Sequence, residues 1–331
     1  MRHFIRALTL ALALAASGPV QGQELLRWGF QEGDTWEYRL TQNSLVSGEP
    51  VRSPETGRKM GQGIRQSQLQ TLTLEAAVRG VEPNGNITVD WTYTRMQMSA
   101  EMGRTSFEWD SDRPDPSLGN TPPGAMIAPL QAMLGRTLTV VMTPLGETVE
   151  LRGAEAMLAA MLEGMDPAFA QMMEEQLGSV FDEEQMASQF MGGVATLPEA
   201  PVSVGDSWTT STEVAMPMLG GTMTSETQNT ITEVENRSGE RVVLILHEGT
   251  MALDSRERVG GTPVTITMNE ALLNGSTTFS LGRGMILSST SKNEQVMTMR
   301  WPGAGMQQRI RTESFTVLEL VGPVSENQRD F

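Results

Sequence analysis

A chain of 331 residues with 40 acidic against 24 basic side chains, a formal net charge of −16 and no cysteine is long enough to bury a core without disulfides. It is too acidic to attract nucleic acid or anionic headgroups, which bind to clustered Lys and Arg. The missing cysteines exclude thiol catalysis, disulfides and lipid attachment through an N-terminal cysteine. After residue 22 no apolar run is long enough for a transmembrane helix, so no membrane span is expected.

At the start of the chain, Arg2 and Arg6 precede the apolar run Ala7 to Ala16, and small residues follow as far as Gly22. That order of basic, apolar and small regions is a signal peptide, and it predicts export to the periplasm or beyond with cleavage after Gly22, Ser17 being the rival site. The organisation expected is a signal segment (1–22), a first β half (23–152), a helical insert (153–193) and a second β half (194–331).

Each half opens on the same motif, Gly33-Asp34-Thr35-Trp36 and Gly205-Asp206-Ser207-Trp208. Gly tolerates positive φ, Asp hydrogen-bonds its own backbone, and Trp favours a strand and anchors a core. Alternation from Asp34 to Val46 predicts the first strand, and the Gly, Pro and Arg-containing stretch Ser47 to Gln66 reads as a long loop. Leu69 to Val81 and Ile87 to Met98 alternate on either side of Pro83-Asn84-Gly85, which predicts a hairpin. Thr227 to Val234 and Val242 to Leu246 repeat that design around Asn236 to Gly239. Both halves end in a further hairpin, Leu138 to Leu151 and Thr277 to Leu287. Three matching features in one order point to an internal duplication. Two more strands, Glu294 to Trp301 and Arg309 to Val321, follow the second copy.

Between the halves the period changes from two to 3.6. Met157, Leu158, Met161 and Leu162 share one helical face, and Asp166-Pro167 opens a second helix carrying Phe169, Met172, Met173 and Leu177. Both stripes must be buried against a sheet, and flexible Met side chains suit surfaces that repack. The insert and one sheet are therefore expected to enclose an apolar pocket lined by Met157, Met161, Phe169, Met172 and Met173.

Residues that carry chemistry are scarce. His247 is the one histidine beyond the signal segment, placed at the end of an apolar strand without a nucleophile motif near it, so it reads as a locally hydrogen-bonded residue. No carboxylate pair stands out for glycoside cleavage. Asp110, Asp112 and Asp115 imitate a calcium loop, but Pro114 takes the place of a ligand and the loop glycine is missing, which favours a solvated acidic turn. Met157, Met161 and Met165 have a spacing that would suit Cu(I), yet a helical core has the same spacing. No catalytic residue, metal or cofactor is assigned, and the chain reads as a non-enzyme.

With the paired Gly-Asp-x-Trp strands, Pro83-Asn84-Gly85, Thr143-Pro-Leu-Gly-Glu-Thr-Val149 and Leu197-Pro-Glu-Ala-Pro-Val-Ser-Val-Gly-Asp-Ser-Trp208 in view, the chain resembles a bacterial family of secreted proteins of unknown function. The resemblance implies secretion, mainly antiparallel strands and a helical middle, and it brings no catalytic residues. The architecture is also similar to the half-barrels of periplasmic lipoprotein carriers, an analogy of fold alone. The expectation is a mainly β protein of two similar antiparallel halves that binds an apolar or lipid-like ligand, with a structural or interaction domain as the alternative and a carboxylate hydrolase third.

Overall fold

In a computed structural model of the protein, the described residues are 22–52, 56, 59–60, 63–115, 121–163, 167, 170–171, 174, 178, 181–183, 186–187, 196–216, 221–255, 258–259, 262–301 and 306–324. In chain order the elements are β1 (Thr35–Gly48), β2 (Val51–Arg52), β3 (Lys59–Met60), β4 (Ile64–Val81), β5 (Ile87–Met102), β6 (Thr105–Asp110), α1 (Pro122–Met133), β7 (Thr137–Met142) and β8 (Thr148–Arg152). They continue as α2 (Ala154–Leu162), β9 (Ser207–Met216), β10 (Gly221–Arg237), β11 (Glu240–Ser255), β12 (Arg258–Val259), β13 (Thr262–Pro263), β14 (Thr265–Ser280), β15 (Met285–Trp301) and β16 (Met306–Pro323).

The protein is mainly β, and 14 strands form one open, antiparallel sheet, eleven of them in the order β8-β7-β5-β4-β1-β16-β15-β14-β11-β10-β9 and β2, β3 and β6 paired off that path. The long strands of each half follow one another as a meander. β16 then pairs with β1 from Trp36↔Pro323 to Gly48↔Ile310, so the last strand of the chain fuses the two halves into one sheet. The alternation over Glu294 to Trp301 belongs to β15, whose pairing with β14 runs from Ser280↔Met285 to Thr265↔Arg300.

The two Gly-Asp turns are built alike. Gly33 and Gly205 have φ of 89° and 95°, a region that penalises any side chain. Gly33 N–H donates to Val78 O at 3.0 Å and Val78 N–H to Asp34 O at 2.9 Å. In the second half Gly205 donates to Ile231 O at 2.8 Å and Ile231 to Asp206 O at 3.0 Å. The Asp carboxylates close the turns by accepting from Gln31 N–H at 3.0 Å and Ser203 N–H at 2.8 Å. Each anchored residue is followed by a bulge, between Val78 and Gly80 in β4 and between Ile231 and Glu233 in β10.

At this end the sheet curls around the segment that precedes β1. Leu26, Trp28 and Phe30 are buried and join one core with Ala76, Val78 and Val89 of one flank and Ile231, Val243 and Ile245 of the other. Trp28 stacks on Phe30 at 5.4 Å and meets Phe279 edge-on at 5.8 Å. Backbone bonds hold the segment to both halves, from Trp28 N–H to Pro144 O at 2.9 Å and from Gly29 N–H to Gly284 O at 3.0 Å. Buried Tyr38 spans the junction between the halves, its hydroxyl donating to Ile286 O at 3.2 Å.

β6 and α1 went unread in the sequence, as did the two-residue strands β2, β3, β12 and β13. β6 folds back on β5 through the Gly103 turn, and α1 follows it. The Thr121-Pro-Pro-Gly stretch looks like a loop, yet proline is tolerated in a first helical turn, and the Thr121 hydroxyl caps the helix by accepting from Gly124 N–H at 3.2 Å. Helical structure is therefore not confined to the stretch after Ala154. The predicted loop 47–66 is interrupted by β2 and β3. The signal segment lies outside the described residues.

Gly284 tests the closure of the curl, because it has φ of 62° and an added Cβ would collide with the Gly29 backbone. Gly284→Ala is expected to destabilise the fold by about 3 kcal/mol or more, through strain combined with lost packing. Gly282, which has open space around its Cβ position, should tolerate alanine within about 0.5 kcal/mol. Urea unfolding of the two variants measures the difference.

Candidate functional site

Because strand side chains alternate, the cross-strand registers assign each residue to one face of the sheet. The inner face is the one that packs on Leu26 to Phe30. On β1 it carries Trp36, Tyr38, Leu40, Gln42 and Ser44, and on β16 Leu318, Thr316, Ser314, Thr312 and Ile310. β15 adds Ser289, Ser291, Asn293, Gln295, Met297 and Met299, opposite Thr277, Gly275, Leu273, Ala271, Met268 and Ile266 of β14. β11 and β10 complete it with Ile245, His247, Gly249 and Met251 against Ile231, Asn229, Thr227 and Ser225.

None of these positions holds Asp, Glu, Lys or Arg, although the chain has 40 acidic and 24 basic residues. The charges stand on the opposite face. Lys292, Glu294, Arg311 and Glu313 form an ion-pair ladder there, with Lys292 to Glu294 at 2.5 Å and Arg311 to Glu294 at 3.0 Å. Along the strands the inner face has three zones: the apolar base around Trp28, a belt of Ser, Thr, Asn and Gln, and a methionine zone. In the last, Met268, Met297 and Ile310 form one row across β14, β15 and β16, and Ile266 and Met299 begin the next. These side chains are half-buried apart from Ile266, which is buried.

A chain of hydrogen bonds crosses the belt. Asn229 donates through Nδ2 to Trp208 O at 3.3 Å and to Thr210 Oγ1 at 3.2 Å, which turns its Oδ1 toward His247. His247 Nδ1 then donates to that oxygen at 2.7 Å, leaving Nε2 to accept from the Thr277 hydroxyl at 2.7 Å. Thr277 accepts in turn from Ser289 Oγ at 2.9 Å. One direction of donation satisfies every member, from Ser289 on β15 to Thr210 on β9. Asn229 and Thr277 are buried and His247 is half-buried. Burial pushes the imidazole down to about 4, so it is neutral at physiological pH. His247 is a mid-strand residue, because β11 runs on past Leu246 to Ser255.

The sequence-predicted pocket is placed in part. Met157 is buried in a core with Leu138, Val140, Leu151 and Ala154, and Met161 packs at its edge beside Phe181 and Met186. Phe169, Met172 and Met173 lie outside the described residues. The stripe of α2 covers the inner face of the first half at β7, while Ile127 of α1 packs on Met96, Met98, Phe107 and Trp109 of β5 and β6. Asp110 and Asp112 both pair with Arg95, at 2.8 and 2.9 Å, and the Arg95 hydrogen bond holds the Asp110 carboxyl well below the usual carboxylate range. Among the described residues no group of three or more His, Asp or Glu is placed to hold a metal ion. A hollow of about 500 Å³ beside Asp110, lined by Leu69, Thr71, Gln97 and Ser99, opens on the charged face.

Sequence reading missed the methionine zone and the partners of His247. The signal was present in parity: from Ser291 to Arg300 one set of alternate residues reads Ser, Asn, Gln, Met, Met and the other Lys, Glu, Val, Thr, Arg.

These features define a class, an open antiparallel sheet curled at one end, with an uncharged inner face and an ionic outer one. The chain belongs to the family of unknown function DUF6263, which matches residues 84–286. Among curated proteins, none matches the chain in sequence. Among solved structures, lipovitellin, in a study of its lipid–protein interactions, is similar at 11% identity and a TM-score of 0.45, with 89% of this chain and 26% of that chain covered. DynF from the dynemicin pathway of Micromonospora chersina matches at 10% identity and a TM-score of 0.21, covering 98% of this chain and 96% of that one. An outer membrane channel from Pseudomonas putida F1 matches at 6% identity and 0.23, covering 92% and 99%. The chain thus spans about a quarter of lipovitellin, and no described helix is long and apolar enough to cross a membrane.

The neutral imidazole links stability to pH. The unfolded chain binds a proton at His247 near pH 6.5 while the folded one resists until about 4, so stability is fully present above 6.5 and falls between those values. The His247 contribution to the slope is at most about 1.4 kcal/mol per pH unit. Urea midpoints measured from pH 7 to 4.5 should therefore decline less steeply in His247→Gln than in the parent protein.

Proposed function

We propose that the protein is an exported, non-catalytic binding module that holds an apolar or lipid-like ligand against the inner face of its second half. The observation that carries the reading is the segregation of charge. An inner face of six long strands with no Asp, Glu, Lys or Arg at its strand positions, in so acidic a chain, suits an occupant that is itself uncharged. Half-buried Met268, Met297 and Met299 supply a surface that adapts to flexible chains. The absence of carboxylates along this face argues against acid–base hydrolysis there. Export follows from the order of regions in residues 1–22. We also take the paired Gly-Asp turns, with their matching bonds and bulges, as copies of one ancestral unit.

Adjacent residues on opposite faces provide the test. Met268→Glu puts a carboxylate on the inner face, and Thr267→Glu puts one on the outer face. A pyrene-labelled fatty alcohol titrated into delipidated protein should bind at least about tenfold more weakly to the first variant and unchanged to the second, a charge costing over about 1.4 kcal/mol when desolvated. Thermal unfolding confirms that both fold. If the parent shows no saturable binding, the face is packing surface and the reading gives way to an interaction domain.

A further inference from the structure

The same backbone positions carry different chemistry in the two halves. Val78 and Ile231 are equivalent, since each accepts from a motif glycine and donates to the motif aspartate. Two residues earlier stand Ala76 and Asn229, and the registers pair these with Trp91 and His247. On the next strand Val140, opposite Val89, corresponds to Thr277, opposite Ile245. The first half thus fills with Ala76, Trp91 and Val140 the places where the second half builds the Asn229, His247 and Thr277 chain.

The fold therefore does not require the polar chain. Burying Asn229 and Thr277 forgoes the packing that apolar residues achieve at the matching sites, and a buried polar network is tolerated only when all its members are satisfied. Its direction shows what remains to be satisfied. Nε2 of His247 lacks a proton, so the Thr277 proton points to it and the Ser289 proton points to Thr277. Ser289 Oγ is left with lone pairs on the half-exposed inner face, between the apolar base and the methionine zone. Four residues along β15, about 13 Å away, Asn293 Oδ1 is enclosed and has no hydrogen-bond partner among the described residues. Ser289 presents an acceptor, and no Asp, Glu, Lys or Arg occupies the inner-face strand positions on either side of it.

We propose that the Ser289–Thr277–His247–Asn229 chain recognises an uncharged amphiphile through a hydrogen-bond donor on it, a hydroxyl or amide N–H, with the apolar chain lying along the methionine zone. This rests on the ligand-binding reading above and narrows it to a chemical class. Ser289 makes the contact. Thr277, His247 and Asn229 are positioning residues that commit the Ser289 proton inward, so that the site accepts rather than donates.

Three pyrene-labelled probes of equal chain length test it: a fatty alcohol, its methyl ether and the corresponding fatty acid at pH 8. The parent protein is expected to bind the alcohol at least about tenfold more tightly than the ether or the carboxylate, because a site built around a donor rejects analogues that lack it. In the triple variant Asn229→Ala, His247→Trp and Thr277→Val, which installs the residues of the first half, alcohol affinity should fall to that of the ether while ether affinity stays within about twofold. The unfolding midpoint of that variant should be unchanged or raised, since all three polar members are replaced together. Equal binding of alcohol and ether by the parent, tighter binding of the acid, or equal loss of all probes in the variant overturns the proposal while leaving a bound lipid in place. Binding of no probe overturns the ligand-binding reading itself.

Discussion

The short run Leu26 to Phe30 is the piece on which the arrangement depends. A sheet of this many strands twists and would expose both faces unless something fills one of them. Trp28 and Phe30 supply that filling at one end, and the bonds from Trp28 to Pro144 and from Gly29 to Gly284 tie the terminal hairpins of both halves to a single stretch of backbone. The aromatic pair contributes through buried area, on the order of 25 cal/mol per Å², and it forces the flanks toward one another. The inner face exists because of that curl.

Curling sets the chemistry of the two faces apart. Outer-face charges such as Lys292, Glu294 and Arg311 pair in solvent, where each bridge is worth little, so they hydrate that face more than they stabilise the fold. On the inner face the same charges would lie across from other strands in a less hydrated space. The replacement of charge by Gln, Asn, Ser and Thr lets belt residues satisfy one another at modest cost, as Asn293 and Gln295 do by donating to Met251 Sδ at 3.7 Å. The helices protect the first half differently, α2 laying Met157 on Leu138 and Val140.

The two halves fill equivalent backbone positions with different chemistry. Ala76, Trp91 and Val140 contribute packing alone, whereas Asn229, His247 and Thr277 give up part of that packing for a directional hydrogen-bond chain. Where one backbone accepts both solutions, the more costly one calls for a role outside stability. Ser289, at the accessible end of the chain, is where the proposed ligand contact falls.

Much of the fold was legible along the chain because its causes are local. The Gly-Asp turns, the Asn84-Gly85 hairpin, the first period-two strands and the amphipathic α2 each follow from residues within a few positions of one another, and they occur where they were expected. α1 escaped notice because its Pro-Pro-Gly start imitates a loop, and the length of β11 because Glu248 and Gly249 look like a strand end. What the sequence by itself determined was the class, mainly antiparallel β with a helical interruption, and the alternation that allots charged residues to one parity of each strand. What only the tertiary structure decided was which parity faces inward, that β16 joins β1 to make one sheet, and that Asn229, His247, Thr277 and Ser289 meet across strands far apart in the chain. The reason is that register and curvature depend on contacts between distant residues, which local periodicity does not encode.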